Sequence, residues 1–367
     1  MNLKQNSNKE KTKLSKLEAV RGFAALYVVF HHLFSSELII GGFNFSFLFH
    51  FGQEAVILFF VLSGFVISYS FEKSSVKSFK LFFFKRFFRI YIPLILVYLT
   101  SYFLICYSSN DLVAVDWKTL LGNLFMLQDA SEIKPNVLFD PFLDNGPLWS
   151  LSYEWWFYFI FLFLYKNFNK NCSLIVYGLG VLAAISYLFY PNFINRELMY
   201  LVIWWIGVDM AKLYLNKSEI NFRTLHIPLI TLFLCTLILF FNIVLQDKIS
   251  IQKLQGIVGV HPWLEFRHFA FALLIIIGAL LWKKLKWFGF NITFGWFESI
   301  ASISFGIYIS HFFLIIHASY LDKIIENNFI RYCIYFIVCL GFSYLIERVI
   351  YTKLNKFFIN KFYKKND

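Results

Sequence analysis

Charged residues are scarce in this sequence, which is 367 residues long. Only 15% of its residues are Asp, Glu, Lys or Arg, whereas 59% are hydrophobic and 22% are aromatic, including 49 Phe. A water-soluble globule of this length has to cover its surface with polar side chains, and this chain has too few of them. The composition excludes a soluble globular protein and predicts a chain whose outer surface faces lipid.

Cysteine is also sparse, with five copies that show no paired spacing. A disulfide framework or a zinc site requires cysteines at recurring short intervals, so we expect neither, and no metal. A removable signal peptide is not expected either. The polar, Lys-rich residues 1–16 precede an apolar run that lacks a small-residue cleavage site.

Long apolar runs are what the sequence has instead. A run of about 20 residues spans a hydrocarbon core at 1.5 Å per residue. We therefore predict an all-α polytopic membrane protein of about ten transmembrane helices, with a polar N-terminal tail (1–16), a membrane domain (17–350) and a basic C-terminal tail (351–367). The ten candidate spans are 17–34, 54–71, 90–107, 147–165, 173–190, 198–215, 226–245, 268–282, 299–320 and 329–350.

Positive charge is distributed unevenly among the connections between these spans. If the N-terminus is cytosolic, most of the 34 Lys and Arg residues fall on the cytosolic side, as the positive-inside rule requires. An even number of spans then places both termini in the cytosol. The net charge of +12 is explained by this topology and by anionic headgroups. The bilayer is the expected partner and nucleic acid is not, because no compact basic face with interleaved aromatics is present.

The first span carries an arginine and a histidine on one face. Arg21 and His32 are eleven residues apart, which is three helical turns plus about 20°, so they are separated by roughly 16 Å along the axis. They could bracket one elongated ligand. Alternatively, Arg21 reaches lipid phosphates and His32 bonds to a neighbouring helix. His31 points elsewhere and is expected to be structural.

A second basic pair opens the third span. Arg86 and Arg89 are three residues apart and share a helix face, which suits bidentate phosphate binding. Taken alone, the same run is typical of a positive-inside anchor.

An acidic residue follows a tryptophan-rich segment at the start of the fourth span. Glu154 lies about two turns inside the membrane, where a carboxylate needs a partner or a proton. A histidine could be that partner and would then serve as a base. The alternative is a hydrogen bond between helices. Trp149 either stacks on a sugar ring or belongs to an interfacial aromatic belt.

Six motifs in a fixed order make the chain resemble the acyltransferase family 3 membrane proteins. They are LEAVRGFAAL (17–26), His32, FFVLSGFVI (59–67), RFFRIYIP (86–93), LWSLSYE (148–154) and SISFGIYISH (302–311). The resemblance implies a ten-helix domain in the bacterial inner membrane. It also implies an O-acyltransferase that uses acetyl-CoA or another acyl-CoA and modifies envelope carbohydrate or its lipid-linked precursor.

The resemblance also assigns roles to individual residues. Essential family residues match Arg21, His32, Arg86, Arg89 and Glu154. We expect His32 and Glu154 to be catalytic, the three arginines to bind the donor, and three further residues to contact the acceptor: Trp149, Ser152 and His311. His311 is alternatively a buried hydrogen-bonding group.

Two departures limit this assignment. Glu18 stands where many relatives have Asp, and the spacing of the third-span arginines varies in the family. Some relatives carry a fused extracytoplasmic domain, and its absence before Asp367 implies a single-component transferase, with a separate partner as the alternative.

Several alternatives remain at this stage. His32 either deprotonates the acceptor for direct transfer or forms an acyl-imidazole. Ser63 and Gly64 are expected to serve close helix packing, with catalysis as the alternative. Intramembrane Arg, His and Glu also build transport pathways, so a transporter or flippase is the rival function, although no internal repeat supports it. An accessory scaffold with a degenerate site is the third possibility.

Overall fold

The computed structural model describes residues 2–74, 77–168, 171–246 and 258–363. Apolar runs long enough to span a bilayer form helices there, because a helix satisfies every backbone polar group internally. The α-helices are α1 Asn2–Phe34, α2 Gly52–Lys73, α3 Phe79–Ser109, α4 Trp117–Leu124, α5 Trp149–Phe168, α6 Cys172–Phe189, α7 Phe193–Leu215, α8 His226–Leu245, α9 Trp263–Lys284, α10 Phe290–Thr293, α11 Glu298–Ala301, α12 Ser304–His311, α13 Asn328–Tyr344 and α14 Tyr351–Tyr363.

Non-α elements are short. Two π-helices, Phe312–Ile316 and Leu345–Ile350, directly follow α12 and α13. The only strands in the described ranges are the two-residue β1 (Ile39–Ile40) and β2 (Phe43–Asn44), which pair antiparallel. The prediction of an all-α polytopic membrane protein is confirmed. The cytosolic location of both termini and the limits of the two tails stay predictions, and residues 1 and 364–367 of those tails lie outside the described residues.

Eight helices in the described ranges are long and apolar enough to cross a membrane, or nine if one bent pair counts as a span. The bent pair is the predicted span 299–320, which the structure divides into 295–301 and 304–316 at an angle of 72°. At the break, the Ala301 carbonyl accepts a hydrogen bond from the Ser304 hydroxyl. The predicted span 147–165 is a helix, α5, but it is not among the eight. Its first turns carry Glu154 together with Trp and Tyr rather than aliphatic residues.

The closest helix contact in the core joins α2 to α7. A Cβ added at Gly64 would lie 1.9 Å from the Trp204 carbonyl oxygen, so only glycine allows this approach. The packing role expected for Gly64 agrees with this geometry. Small residues at such crossings let helix backbones meet within a membrane.

We expect Gly64→Ala to destabilise the protein by about 1–3 kcal/mol, because the new methyl group forces α2 away from α7. Thermal unfolding in detergent, followed by size-exclusion chromatography, measures the effect. Gly278→Ala in α9 is the matched control, since a Cβ there meets nothing within 4 Å. Equal melting temperatures for the two variants would contradict the packing role.

The connection between α3 and α5 packs inward instead of lying on the surface. Asp129 is 1% exposed and accepts hydrogen bonds from Lys134 (2.7 Å) and from the Tyr153 hydroxyl (2.6 Å). Arg196 of α7 lies 3.1 Å from the same carboxylate. This buried ionic cluster fixes the start of α5, and hence the position of Glu154.

Candidate active site

A cavity lies among α1, α2, α3, α5 and α12. It encloses about 890 Å³ of space between side chains, part of which is open to the surroundings. Four of the residues that the sequence singles out line it: Arg21, Arg86, Arg89 and Glu154. His32, Trp149, Ser152 and His311 are not among the lining residues. The apolar part of the wall includes Phe59, Phe60, Leu62 and Val66.

Arg21 enters the cavity because α1 packs closely on the broken span. A Cβ at Gly22 would lie 2.1 Å from the Phe297 carbonyl oxygen. The Arg21 guanidinium donates to the Ala301 carbonyl (2.8 Å) and pairs with Glu18 at 2.6 Å, whereas its Nε has no partner in the described residues. Arg21 is therefore held at the break between segments 295–301 and 304–316, and its Nε–H remains available as a hydrogen-bond donor.

Arg86 is the cavity arginine without an acidic partner. Within the described ranges no carboxylate lies at ion-pair distance from it, and its buried Nε makes no hydrogen bond. Its guanidinium lies over the Phe82 ring, 5.5 Å from the centroid. A guanidinium that lacks an anion is a ready phosphate ligand, because its donors form a planar fork.

Arg89 differs from Arg86 because it is neutralised. It forms an ion pair with Glu347, whose other carboxylate oxygen accepts the backbone N–H of Gly306 at 2.5 Å. The Glu347 side chain is 2% exposed. Sequence reasoning missed Glu347, although a lone carboxylate in the last apolar run was a signal that could have found it.

Glu154 makes its hydrogen bonds to hydroxyl groups. Ser63 donates to it at 2.5 Å, Tyr158 donates to the same oxygen, and the Trp204 indole N–H donates to Ser63 at 3.2 Å. In the described residues, no histidine is among the hydrogen-bond partners of Glu154, although the sequence suggested one. The alternative, a hydrogen bond between helices, matches what is observed, and Ser63 does more than pack.

His32 lies near the C-terminal end of α1, about three helical turns beyond Arg21. Its ring is 5.3 Å from that of His311 and 5.7 Å from that of Phe312, measured between centroids. Arg21 and His32 therefore face the same stretch of chain, at Ala301 and at His311. His31 is anchored separately, with its Nδ1 2.5 Å from the Phe49 carbonyl oxygen.

Tyr308 lines the cavity and also lies beside His311. Its ring is 5.9 Å from that of Phe59 and 6.3 Å from that of His311. Its hydroxyl donates to the Pro147 carbonyl and accepts from Ser150 at 2.8 Å. The structure thus brings the arginines and Glu154 together in one cavity, whereas His32 and His311 are not among its lining residues and His311 lies beside the lining residue Tyr308.

The two remaining predicted acceptor contacts are buried elsewhere. Trp149 is covered by the Lys134 ammonium, 3.6 Å from its ring centroid, and by the stacked ring of His268. Burial lowers the pKa of Lys134, and Asp129 opposes that shift. The Ser152 hydroxyl donates to the backbone at Gln128 (2.7 Å) and Trp149 (2.9 Å). Neither side chain faces the cavity, because the α3–α5 connection covers both.

No group of three or more His, Cys, Asp or Glu side chains within the described ranges is arranged to hold a metal ion. Among known proteins, the family model described as "Acyltransferase domain" (Acyl_transf_3) matches residues 14–348, which is nearly the whole chain. No curated protein and no solved structure matches significantly.

Proposed function

Because the chain belongs to this acyltransferase family, and is a multi-pass membrane acyltransferase, we propose that it is an O-acyltransferase of the bacterial inner membrane. Its donor is acyl-CoA, in the first instance acetyl-CoA. Its acceptor is a hydroxyl of a cell-envelope glycan or of a lipid-linked precursor.

The observation that carries this proposal is that one largely apolar cavity holds both Arg21 and Arg86, and that Arg86 has no carboxylate partner in the described residues. CoA combines phosphates with a long, flexible pantetheine arm. Guanidiniums suit the phosphates, and the wall of Phe59, Phe60 and Leu62 suits the arm. In the predicted orientation, the arginine end of the cavity faces the cytosol, where acyl-CoA is found.

The reaction follows from this arrangement. Arg86 and Arg21 hold the phosphates, and Glu154 with Ser63 hydrogen-bonds the arm in mid-membrane. The thioester reaches His32 once Tyr308 swings aside. His32 takes the proton of the acceptor hydroxyl, and the resulting alkoxide attacks the thioester carbonyl. A C–O bond forms, the C–S bond breaks, and the thiolate leaves and takes up that proton from the imidazolium.

Purified protein in lipid nanodiscs tests the proposal. Acetyl-CoA and candidate acceptors should give free thiol release that depends on the acceptor, and envelope glycans of producing cells should gain one acyl mass. Substrate transport without thiol release would instead establish the rival transporter. Labelled acyl-CoA without acceptor distinguishes the two chemistries, because only the acyl-imidazole version leaves label on the protein.

Arg86→Gln should raise the KM for acyl-CoA about 10- to 100-fold, because one charge-assisted hydrogen bond is worth about 1.5–3 kcal/mol. The kcat should change much less, since Arg86 is far from the reacting carbonyl. Lys80→Gln is the matched control: it removes the same charge from an exposed position on α3 outside the cavity. The assignment of Arg86 fails if both variants show the KM of the unmodified protein.

A further inference from the structure

His311 has an unusual environment for a membrane histidine. It is the last residue of α12, is fully buried, and is followed directly by the π-helix Phe312–Ile316. Its Nδ1 lies 2.8 Å from the Tyr308 carbonyl oxygen and 3.1 Å from that of Ile307. Carbonyl oxygens can only accept hydrogen bonds, so Nδ1 must carry a proton.

The other ring nitrogen of His311 is therefore a bare acceptor when the ring is neutral. In the described residues this Nε2 is buried and has no hydrogen-bond partner. An unsatisfied buried acceptor costs about 1–3 kcal/mol, so such a group calls for a donor. The π-helix beside it is a second sign, since π-helical segments are frequent at functional sites.

The nearest ring able to donate is that of His32, and the two planes are inclined at 37°. An in-line N–H···N bond of about 3 Å between two imidazoles puts their centroids about 5 Å apart, close to the 5.3 Å observed. Because the backbone carbonyls hold the His311 ring, the bond requires rotation of the His32 ring. The other neighbouring histidines are engaged elsewhere: His31 is held by the Phe49 carbonyl, and His317 packs on Phe312 at 4.4 Å.

We propose that His311 is a positioning residue for His32. Its fixed Nε2 lone pair accepts the N–H of His32, which selects one tautomer and leaves the second nitrogen of His32 free as the base. This inference rests on the proposed function, in which His32 deprotonates the acceptor hydroxyl. His311 keeps its Nδ1 proton throughout, and its lone pair stabilises the positive charge that His32 acquires before the thiolate takes the proton.

Two substitutions at position 311 separate this role from a merely structural one. His311→Asn keeps an amide donor near the Ile307 and Tyr308 carbonyls and removes the acceptor at the Nε2 position. His311→Gln reaches further and can present an amide oxygen there. We expect the Asn variant to lose about 10- to 100-fold in kcat with an unchanged KM for acyl-CoA. Mutating a residue that orients a metal-bound histidine has an effect of this size. The Gln variant should retain most of the activity.

A structural role predicts the opposite order, because Asn preserves the backbone contacts. Asn activity equal to or above Gln activity, or a loss confined to KM, would overturn the proposal. Nitrogen NMR of ¹⁵N-histidine-labelled protein in bilayers gives a readout independent of catalysis. His311 should be protonated at Nδ1 alone. His32 should show one tautomer in the unmodified protein and a mixture of tautomers in the Asn variant. Mixed tautomers of His32 in the unmodified protein would also overturn the proposal.

These measurements distinguish two kinds of failure. Absence of acceptor-dependent thiol release from the unmodified protein would refute the proposed function. Unchanged His32 tautomers in the Asn variant, in a protein that does release thiol, would refute only the role of His311.

Discussion

His32→Ala should lower kcat for acyl transfer by about 10²- to 10⁴-fold, the range that a positioned general base contributes. The expectation follows from the placement of His32 on α1. It shares a helix face with Arg21, which lines the cavity, and its ring is 5.3 Å from that of His311. In the proposed mechanism, an acceptor arriving from the outer side and a thioester arriving through the cavity meet at this imidazole.

The matched control is the neighbouring histidine. His31→Asn retains a donor for the Phe49 carbonyl and leaves the face of α1 that carries Arg21 and His32 unaltered. Thiol release and product formation are measured for both variants at saturating acyl-CoA. If His32→Ala works as fast as His31→Asn, His32 is not the base, and an accessory scaffold or a different reacting group replaces the proposed mechanism.

Arg89→Leu should destabilise the protein by about 3–5 kcal/mol, the usual cost of leaving a buried charge unpaired. The Glu347 carboxylate is almost completely buried, and loss of Arg89 leaves the Gly306 N–H as its remaining donor in the described residues. The double variant Arg89→Leu/Glu347→Leu should recover most of this loss, because the pair is removed together. Thermal unfolding in detergent measures all three proteins.

The same variants decide between two roles for Arg89. If Arg89 only holds Glu347 in place, the double variant should show a nearly unchanged KM for acyl-CoA. A large rise in KM despite restored stability would show that Arg89 binds phosphate directly, as the sequence alone suggested. Arg86, for which the described ranges offer no acidic partner, is expected to behave differently from Arg89 in this comparison.

Helical periodicity explains why much of the site could be predicted. Eleven residues return a helix to nearly the same face, so Arg21 and His32 point toward one neighbouring element, the segment around Ala301 and His311. Apolar run length located most of the spans. A carboxylate inside one run identified Glu154, and a basic pair just before the third run identified Arg86 and Arg89. All three residues line one cavity.

What could not be predicted depends on contacts between distant parts of the chain. The pairing of Arg89 with Glu347 joins residues 258 positions apart. Lys134 covers Trp149 because the α3–α5 connection packs inward. Glu154 and His32 share no hydrogen bond in the described residues, since Glu154 meets Ser63 of α2 while His32 lies level with His311. Sequence patterns define the faces of single helices but not the depth at which two helices meet.

The most direct test of the central claim is a structure with a bound acyl-CoA analogue in which a methylene group separates the sulfur from the carbonyl. Our account predicts phosphate oxygens within hydrogen-bond distance of Arg86 and Arg21, a displaced Tyr308 ring, and the carbonyl carbon within about 3.5 Å of a His32 nitrogen. A carbonyl that stops beside Ser63 and Glu154, with Tyr308 in place between it and His32, would contradict it.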